Sequence, residues 1–325
     1  MGRAGETRRP EPGAHGEEPD GGAVAARRGR RRLHPASATA LVTAAIVAAA
    51  VLVLGPESVS GRLPWGGGTA TGAAAPDARE EHVEGAYEFP TLDEPFLGTA
   101  AAGWADGARG IRPPGARAAG GMTAEEVAEA LRLTRDFLIA SNLDAAVVRG
   151  GHPRRALDLL DPLHGDRRAL VRSLAEPGGD DDPLSLVSRF DPARVRLVGD
   201  IVKTRGDMAF EKGEDDGEVV VRADYTFVYP LVQTHPGAED VTHTVVRRRL
   251  TVSLMDPDLW VVTPGTLRVI ESRPEIVNAG CDTADGFIHP VFPSDMLGRT
   301  PSPAVTGFDP YDRDREIPDA PDTPC

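Results

Sequence analysis

Cysteine and lysine are both scarce in this sequence, with two of each among 325 residues. Cys281 and Cys325 stand 44 positions apart and lack the paired spacing of zinc ligands, which argues against a zinc site. Because Lys203 and Lys212 are the only lysines, positive charge is carried almost wholly by arginine. Large apolar and aromatic residues are also sparse outside positions 122–293, so the distribution predicts one folded domain there.

Short motifs that mark common catalytic and cofactor sites are missing as well. The chain has no P-loop, no GxGxxG after a strand, no GxSxG, no HExxH and no CxxC. Kinase, hydrolase and redox functions therefore lack support. We predict a protein that is not an enzyme and that binds no cofactor and no metal.

The net charge is −14, and the negative charge is unevenly distributed. Residues 1–37 carry eight arginines against five acidic residues, so the remainder of the chain is strongly acidic. An acidic domain cannot release counterions from phosphates, and nucleic acid is therefore not an expected partner.

One long uncharged run, residues 38–55, has the length of a bilayer-spanning helix. Basic residues stand immediately before it and predict a cytoplasmic amino end by the positive-inside rule: Arg27, Arg28, Arg30, Arg31 and Arg32. We expect a single-pass protein of the cell membrane, in contact with the lipid bilayer through 38–55, with its carboxyl-terminal domain extracytoplasmic. The alternative is a cleaved secretory signal, because Ser58-Val59-Ser60 offers small residues for a peptidase.

Composition divides the chain into further segments. The predicted organisation is a disordered tail at 1–37, a Gly, Pro and Ala rich spacer at 56–121, an α+β domain at 122–293 and an extended proline-rich tail at 294–325. Outside the cytoplasm, Cys281 and Cys325 would form a disulfide that stabilises the fold by roughly 4 kcal/mol. Two free thiols remain the alternative.

Helical signals precede strand signals in the folded region. Thr123 and Glu126 form a capping-box pattern, and the helix that they start extends to about Val148, followed by two short helices. Alternating apolar residues then predict antiparallel strands: Val195–Thr204, continuing past a Gly206 bulge or turn to Asp207–Lys212, then Glu218–Val232, Val241–Met255, Leu259–Val262 and Thr266–Ser272. This order predicts an α+β domain with helices packed on one face of a curved antiparallel sheet.

This order of elements over residues 122–277 resembles the NTF2-like (SnoaL-like) cone fold. That fold occurs outside the membrane in many single-pass proteins of actinobacteria, whose G and C rich genomes would also explain a chain loaded with Ala, Gly, Pro and Arg. The resemblance implies a pocket between the helices and the concave sheet. Four residues are candidates to line it: Asp224, Tyr225, Tyr229 and His243.

Asp224 could act there as a general base and a tyrosine hydroxyl could stabilise an enolate, but strand alternation sends Asp224 and the tyrosines to opposite faces. Arg247, Arg248 and Arg249 are split between faces in the same way. The leading hypothesis is a non-catalytic binding or scaffolding domain, whose partner is another envelope or membrane protein. The alternative is a small-molecule-binding or isomerase or hydratase-like domain.

Overall fold

The computed structural model describes residues 88–178, 182–280, 283–296 and 309–317. Its central feature is a six-stranded antiparallel sheet in the order β1-β3-β4-β5-β6, with β2 paired to the end of β4. The strands are β1 (Ala105–Asp106), β2 (Val195–Leu197), β3 (Lys203–Lys212), β4 (Glu218–Gln233), β5 (Thr242–Met255) and β6 (Arg268–Val277). A separate pair, β7 (Ala279–Gly280) and β8 (His289–Pro290), lies beyond β6 along the chain.

Within the described residues, four α-helices precede β2: α1 (Ala124–Asn142), α2 (Ala145–Val148), α3 (Arg154–Asp158) and α4 (Gly165–Ala175). The predicted capping box is confirmed, since Thr123 accepts from the Glu126 N–H and Glu126 accepts from the Thr123 N–H. The predicted end at Val148 is too late, because Asp144 caps a new short helix by accepting from two backbone N–H groups.

The main core lies between α1 and one face of the sheet. Val127, Leu131 and Phe137 on α1 pack with the inward residues of β4 and β5, where every second side chain faces this core. The residues of β4 and β5 on this face include Val219, Val221, Ala223, Tyr225, Phe227, Tyr229, Leu231, Val246, Leu250, Val252 and Leu254. Burial of this apolar surface is the main stabilising contribution to the domain.

Strand β3 differs from its prediction. It continues through Gly206 without a bulge, because Gly206 pairs regularly with Tyr225. A Cβ atom at Gly206 would lie 2.2 Å from the Cδ1 atom of Tyr225, so the aromatic ring occupies the space of the missing side chain. The break falls earlier, at Gly199, whose φ of +62° starts the turn between β2 and β3.

The second face of the sheet is covered by residues 95–104 and 309–317. Phe96 and Ala101 pack there against Val228 and Val245. Residues 88–121, within the predicted spacer, therefore belong to the folded unit, and β1 pairs with β3. From the other end of the chain, the Arg313 guanidinium donates to the Asp224 carbonyl and to the Asp207 carboxylate, both at 2.9 Å.

The prediction of a transmembrane helix requires correction. No helix in the described part of the chain is long and apolar enough to cross a membrane, and the longest, α1, carries charges such as Glu129 and Arg132. The predicted span 38–55, the arginines before it, and both Cys281 and Cys325 lie outside the described residues. Single-pass anchoring, the extracytoplasmic location and the disulfide are therefore withdrawn. The corrected fold class is α+β with a mostly antiparallel sheet and few helices.

Candidate functional site

The space where a cone pocket was expected, between α1 and the sheet, is occupied by side chains. Tyr225, Phe227 and Tyr229 point into it from β4 and are fully buried. The Tyr229 hydroxyl donates to the Asn142 carbonyl at 2.8 Å, and burial raises the pKa of Tyr229. Burial also raises the pKa of Tyr225 to about 12. Both tyrosines are thus neutral core residues.

A buried arginine lies among these side chains. Arg248 pairs with Tyr225 across the sheet, and its Nε–H donates to the Asn142 Oδ1 atom at 3.1 Å. Its Nη1 group donates to the carbonyls of Leu184 and Ser185. None of its partners among the described residues is a carboxylate, and burial lowers its pKa to about 10.

Asn142 is the last residue of α1, so the negative end of the helix dipole faces the Arg248 guanidinium. Ser188 adds a second link, because its hydroxyl donates to the Asn142 Oδ1 atom at 2.8 Å and accepts from Arg248 at 3.4 Å. These neutral partners use the Arg248 donors within the core. The cluster joins β5, α1 and the segment around Leu184, and its role is structural.

Asp224 and His243 lie on the other face of the sheet, away from the tyrosines. The Asp224 carboxylate accepts from Arg247 at 2.7 and 3.0 Å. The His243 Nε2–H donates to the Pro95 carbonyl at 2.6 Å, and burial lowers the pKa of His243. The four residues proposed from sequence therefore do not form one site. Asp224 and His243 instead bind Arg313 and the Pro95 carbonyl, in the two segments that cover this face.

A different surface is prominent on the loop between β5 and β6, residues 256–267. Leu259, Trp260 and Val261, here called the apolar tip, expose 61%, 38% and 89% of their surface. This loop was predicted to contain a strand at Leu259–Val262, which is wrong. The Asp256 side chain instead accepts from the Asp258 N–H and starts a turn.

The apolar tip is held on both sides by hydrogen bonds. The Trp260 indole N–H donates to the Asp216 carbonyl at 2.8 Å, and the Trp260 backbone N–H donates to the Asp256 carbonyl at 2.9 Å. Beyond the tip, the Thr263 hydroxyl donates to the Asp161 carboxylate at 2.9 Å. The exposed side chains are thus presented by a fixed backbone.

The pKa of Asp161, which accepts the hydrogen bond from Thr263, is lowered by the groups around it. Burial, the largest single influence, raises the pKa of Asp161, but hydrogen bonds from the Leu163 N–H and from Thr263 together outweigh it and hold the pKa below its usual value. The carboxylate is therefore ionised at neutral pH and accepts from the Leu163 N–H in its own segment and from Thr263 in the loop.

Acidic residues lie in the two segments that adjoin the apolar tip. The β3–β4 turn contributes Glu214, Asp215 and Asp216, and the loop itself contributes Asp256 and Asp258. Neither segment contains lysine or arginine. The surface is therefore an apolar projection with a negative rim.

Comparisons with known proteins give no family, because no family model, no curated protein and no solved structure matches the chain. They therefore supply no catalytic signal either.

Proposed function

We propose that this protein is a non-catalytic binding domain that docks another protein through the apolar tip, Leu259, Trp260 and Val261. The observation that carries the proposal is the exposure of three consecutive large apolar side chains on a backbone fixed by hydrogen bonds. Single exposed apolar residues are ordinary, but a contiguous rigid group of them is typical of interaction sites.

The energetics favour such a role. Full burial of a leucine or valine side chain contributes about 1.5–3 kcal/mol, and a tryptophan is a frequent binding hot spot. Since the Trp260 indole N–H already donates to the Asp216 carbonyl, docking leaves no donor of that ring unpaired. Because the loop is already ordered, little conformational entropy is lost when the tip binds.

The rim indicates the chemistry of the partner. Asp215, Asp216 and Asp258 would repel an acidic surface, including a second copy of this chain with its net charge of −14. The complementary partner is a protein with an apolar cleft flanked by arginine or lysine. The side chains that fill the interior between α1 and the sheet favour this proposal over the isomerase or hydratase alternative.

Site-specific photocrosslinking in the native cell tests the proposal. Benzoylphenylalanine placed at Val261 should give one discrete protein adduct, whereas the same probe at Ile201, exposed at the opposite end of β4, should not. The crosslinked partner peptide should contain apolar residues beside arginine or lysine.

A matched pair of charge reversals completes the test. Asp258→Lys should reduce the adduct severalfold, because the Asp258 carboxylate makes no hydrogen bond within the described residues and only the rim changes. Asp200→Lys, beside the control position, should leave it unchanged. Equal adducts from positions 261 and 201, or an adduct only to a second copy, would refute the proposal.

A further inference from the structure

A small pocket lies at the far end of the sheet from the apolar tip. Its cavity volume is about 190 Å³, and its lining comes from the start of β2, the end of β4 and the β8 segment. Val195, Ile288 and Phe292 form an apolar floor and are buried in the fold. The polar lining residues include Arg194, Asp191 and Asp295, so opposite charges meet around one apolar floor.

Arg194 is oriented toward this pocket by a chain of hydrogen bonds. The His289 Nε2 atom lies 2.9 Å from the Asp285 carboxylate, and the His289 Nδ1 atom lies 3.3 Å from the Arg194 Nη1 atom. A neutral imidazole with its proton on Nε2 satisfies both contacts, donating to Asp285 and accepting from Arg194. The Nε and Nη2 groups of Arg194 make no hydrogen bond within the described ranges and are available to a ligand carboxylate.

In each of the two carboxylates of the pocket, one oxygen accepts a hydrogen bond from the protein backbone. One oxygen of Asp191 accepts from the Ala193 N–H at 2.9 Å, and one oxygen of Asp295 accepts from the Phe292 N–H at 3.1 Å. These bonds fix the carboxylates in place. Their other oxygens have no hydrogen-bond partner in the described part of the chain and would suit an ammonium group.

We propose that this pocket binds a free α-amino acid with an apolar side chain. Arg194 receives the carboxylate, Asp191 and Asp295 receive the ammonium group, and the side chain covers Val195 and Phe292. Each group of the ligand thus meets its chemical complement, and the cavity has the size of one small molecule. The site is separate from the apolar tip and does not depend on the docking function proposed there.

Calorimetric titration of the full chain with free leucine tests this inference, with leucinamide and N-acetylleucine as matched probes. Leucinamide lacks the carboxylate and N-acetylleucine lacks the ammonium group. We expect leucine to bind at least about tenfold more tightly than either, because each probe loses a charge-assisted pair. Absence of leucine binding, or equal binding of the three compounds, would overturn the site.

Variants then assign the roles. Arg194→Gln should remove the preference for leucine over leucinamide, whereas Arg196→Gln, exposed two positions away and outside the pocket lining, should keep it. Asp191→Asn retains the oxygen that caps the Ala193 N–H and should reduce the preference for leucine over N-acetylleucine, since Asp295 alone then receives the ammonium group. Loss of binding that is the same for Arg194→Gln and Arg196→Gln would contradict the inference.

Discussion

Arg248 and Asn142 form a buried hydrogen-bonded pair, and substitutions of the two residues should lower stability by unequal amounts. Asn142→Ala removes the acceptor of the Arg248 Nε–H and of the Ser188 hydroxyl, and leaves a charged donor unsatisfied in the core. An unsatisfied buried donor on a charged group together with one lost hydrogen bond corresponds to about 3–4 kcal/mol of unfolding free energy.

Arg248→Met should be milder. Met fills much of the same space without a charge, and of the carbonyl oxygens that Arg248 leaves behind only that of Leu184 loses its donor within the described residues. Ser188 still donates to the Asn142 Oδ1 atom, and Ser272 still donates to the Ser185 carbonyl at 2.5 Å. Because the desolvation of the guanidinium is no longer required, we expect a loss below about 2 kcal/mol.

Urea unfolding at neutral pH, followed by circular dichroism, measures these differences, and equal m-values would show that the same surface unfolds. In the double variant, the Asn142→Ala substitution should be about 2 kcal/mol less destabilising than in the wild type. Arg249→Met, exposed at the next position, serves as control and should change stability by less than about 0.5 kcal/mol. A larger loss for Arg248→Met than for Asn142→Ala would refute the reasoning.

Two further predictions concern the faces of the sheet. Because burial lowers the pKa of His243 below its ordinary 6.5, its contribution to stability is complete above that pH and is lost as pH falls through the lower folded-state pKa. Denaturant unfolding from about pH 7 to about pH 5 should therefore show a steeper loss for the wild type than for His243→Gln, and equal slopes would contradict this. Gly206→Ala should lower stability by about 2 kcal/mol or more because its Cβ meets the Tyr225 ring, while Gly115→Ala, with no atom within 4 Å, should be nearly neutral in the same assay. Equal stability of the two glycine variants would argue against the observed register.

Local patterns in the sequence accounted for the elements that local physics controls. The capping box at Thr123 and the alternation of Tyr225, Phe227 and Tyr229 each depend on neighbouring residues, and both appear as expected. The separation of Asp224 from the tyrosines follows from the same period of two. The same alternation places Arg248 on the apolar face with Val246 and Leu250. Because a charged side chain is rarely buried, sequence alone does not predict that Arg248 belongs to the core.

The apolar tip was missed because an apolar run reads as a buried strand. Leu259–Val262 has the composition of a strand, but the loop turns outward at Asp256 and donates hydrogen bonds to the Asp161 carboxylate and the Asp216 carbonyl. One partner of this loop, Asp161, is 102 residues away from Thr263 in the chain, so no local pattern indicates it. The pocket at Arg194 was missed for the same reason, because its lining comes from separate strands and a distant segment.

Residue order alone was enough to define the capped helix, the alternating strands, the acidic character and the absence of catalytic motifs, because each is a property of neighbouring residues or of composition. Long-range packing decided the rest: that Gly206 needs no bulge, that residues 95–104 and 309–317 cover the second face of the sheet, and that an arginine can be buried beside Asn142. These outcomes depend on a ring, a carbonyl or a helix terminus contributed by residues that are distant in sequence. Such groups come into contact only when the chain has folded.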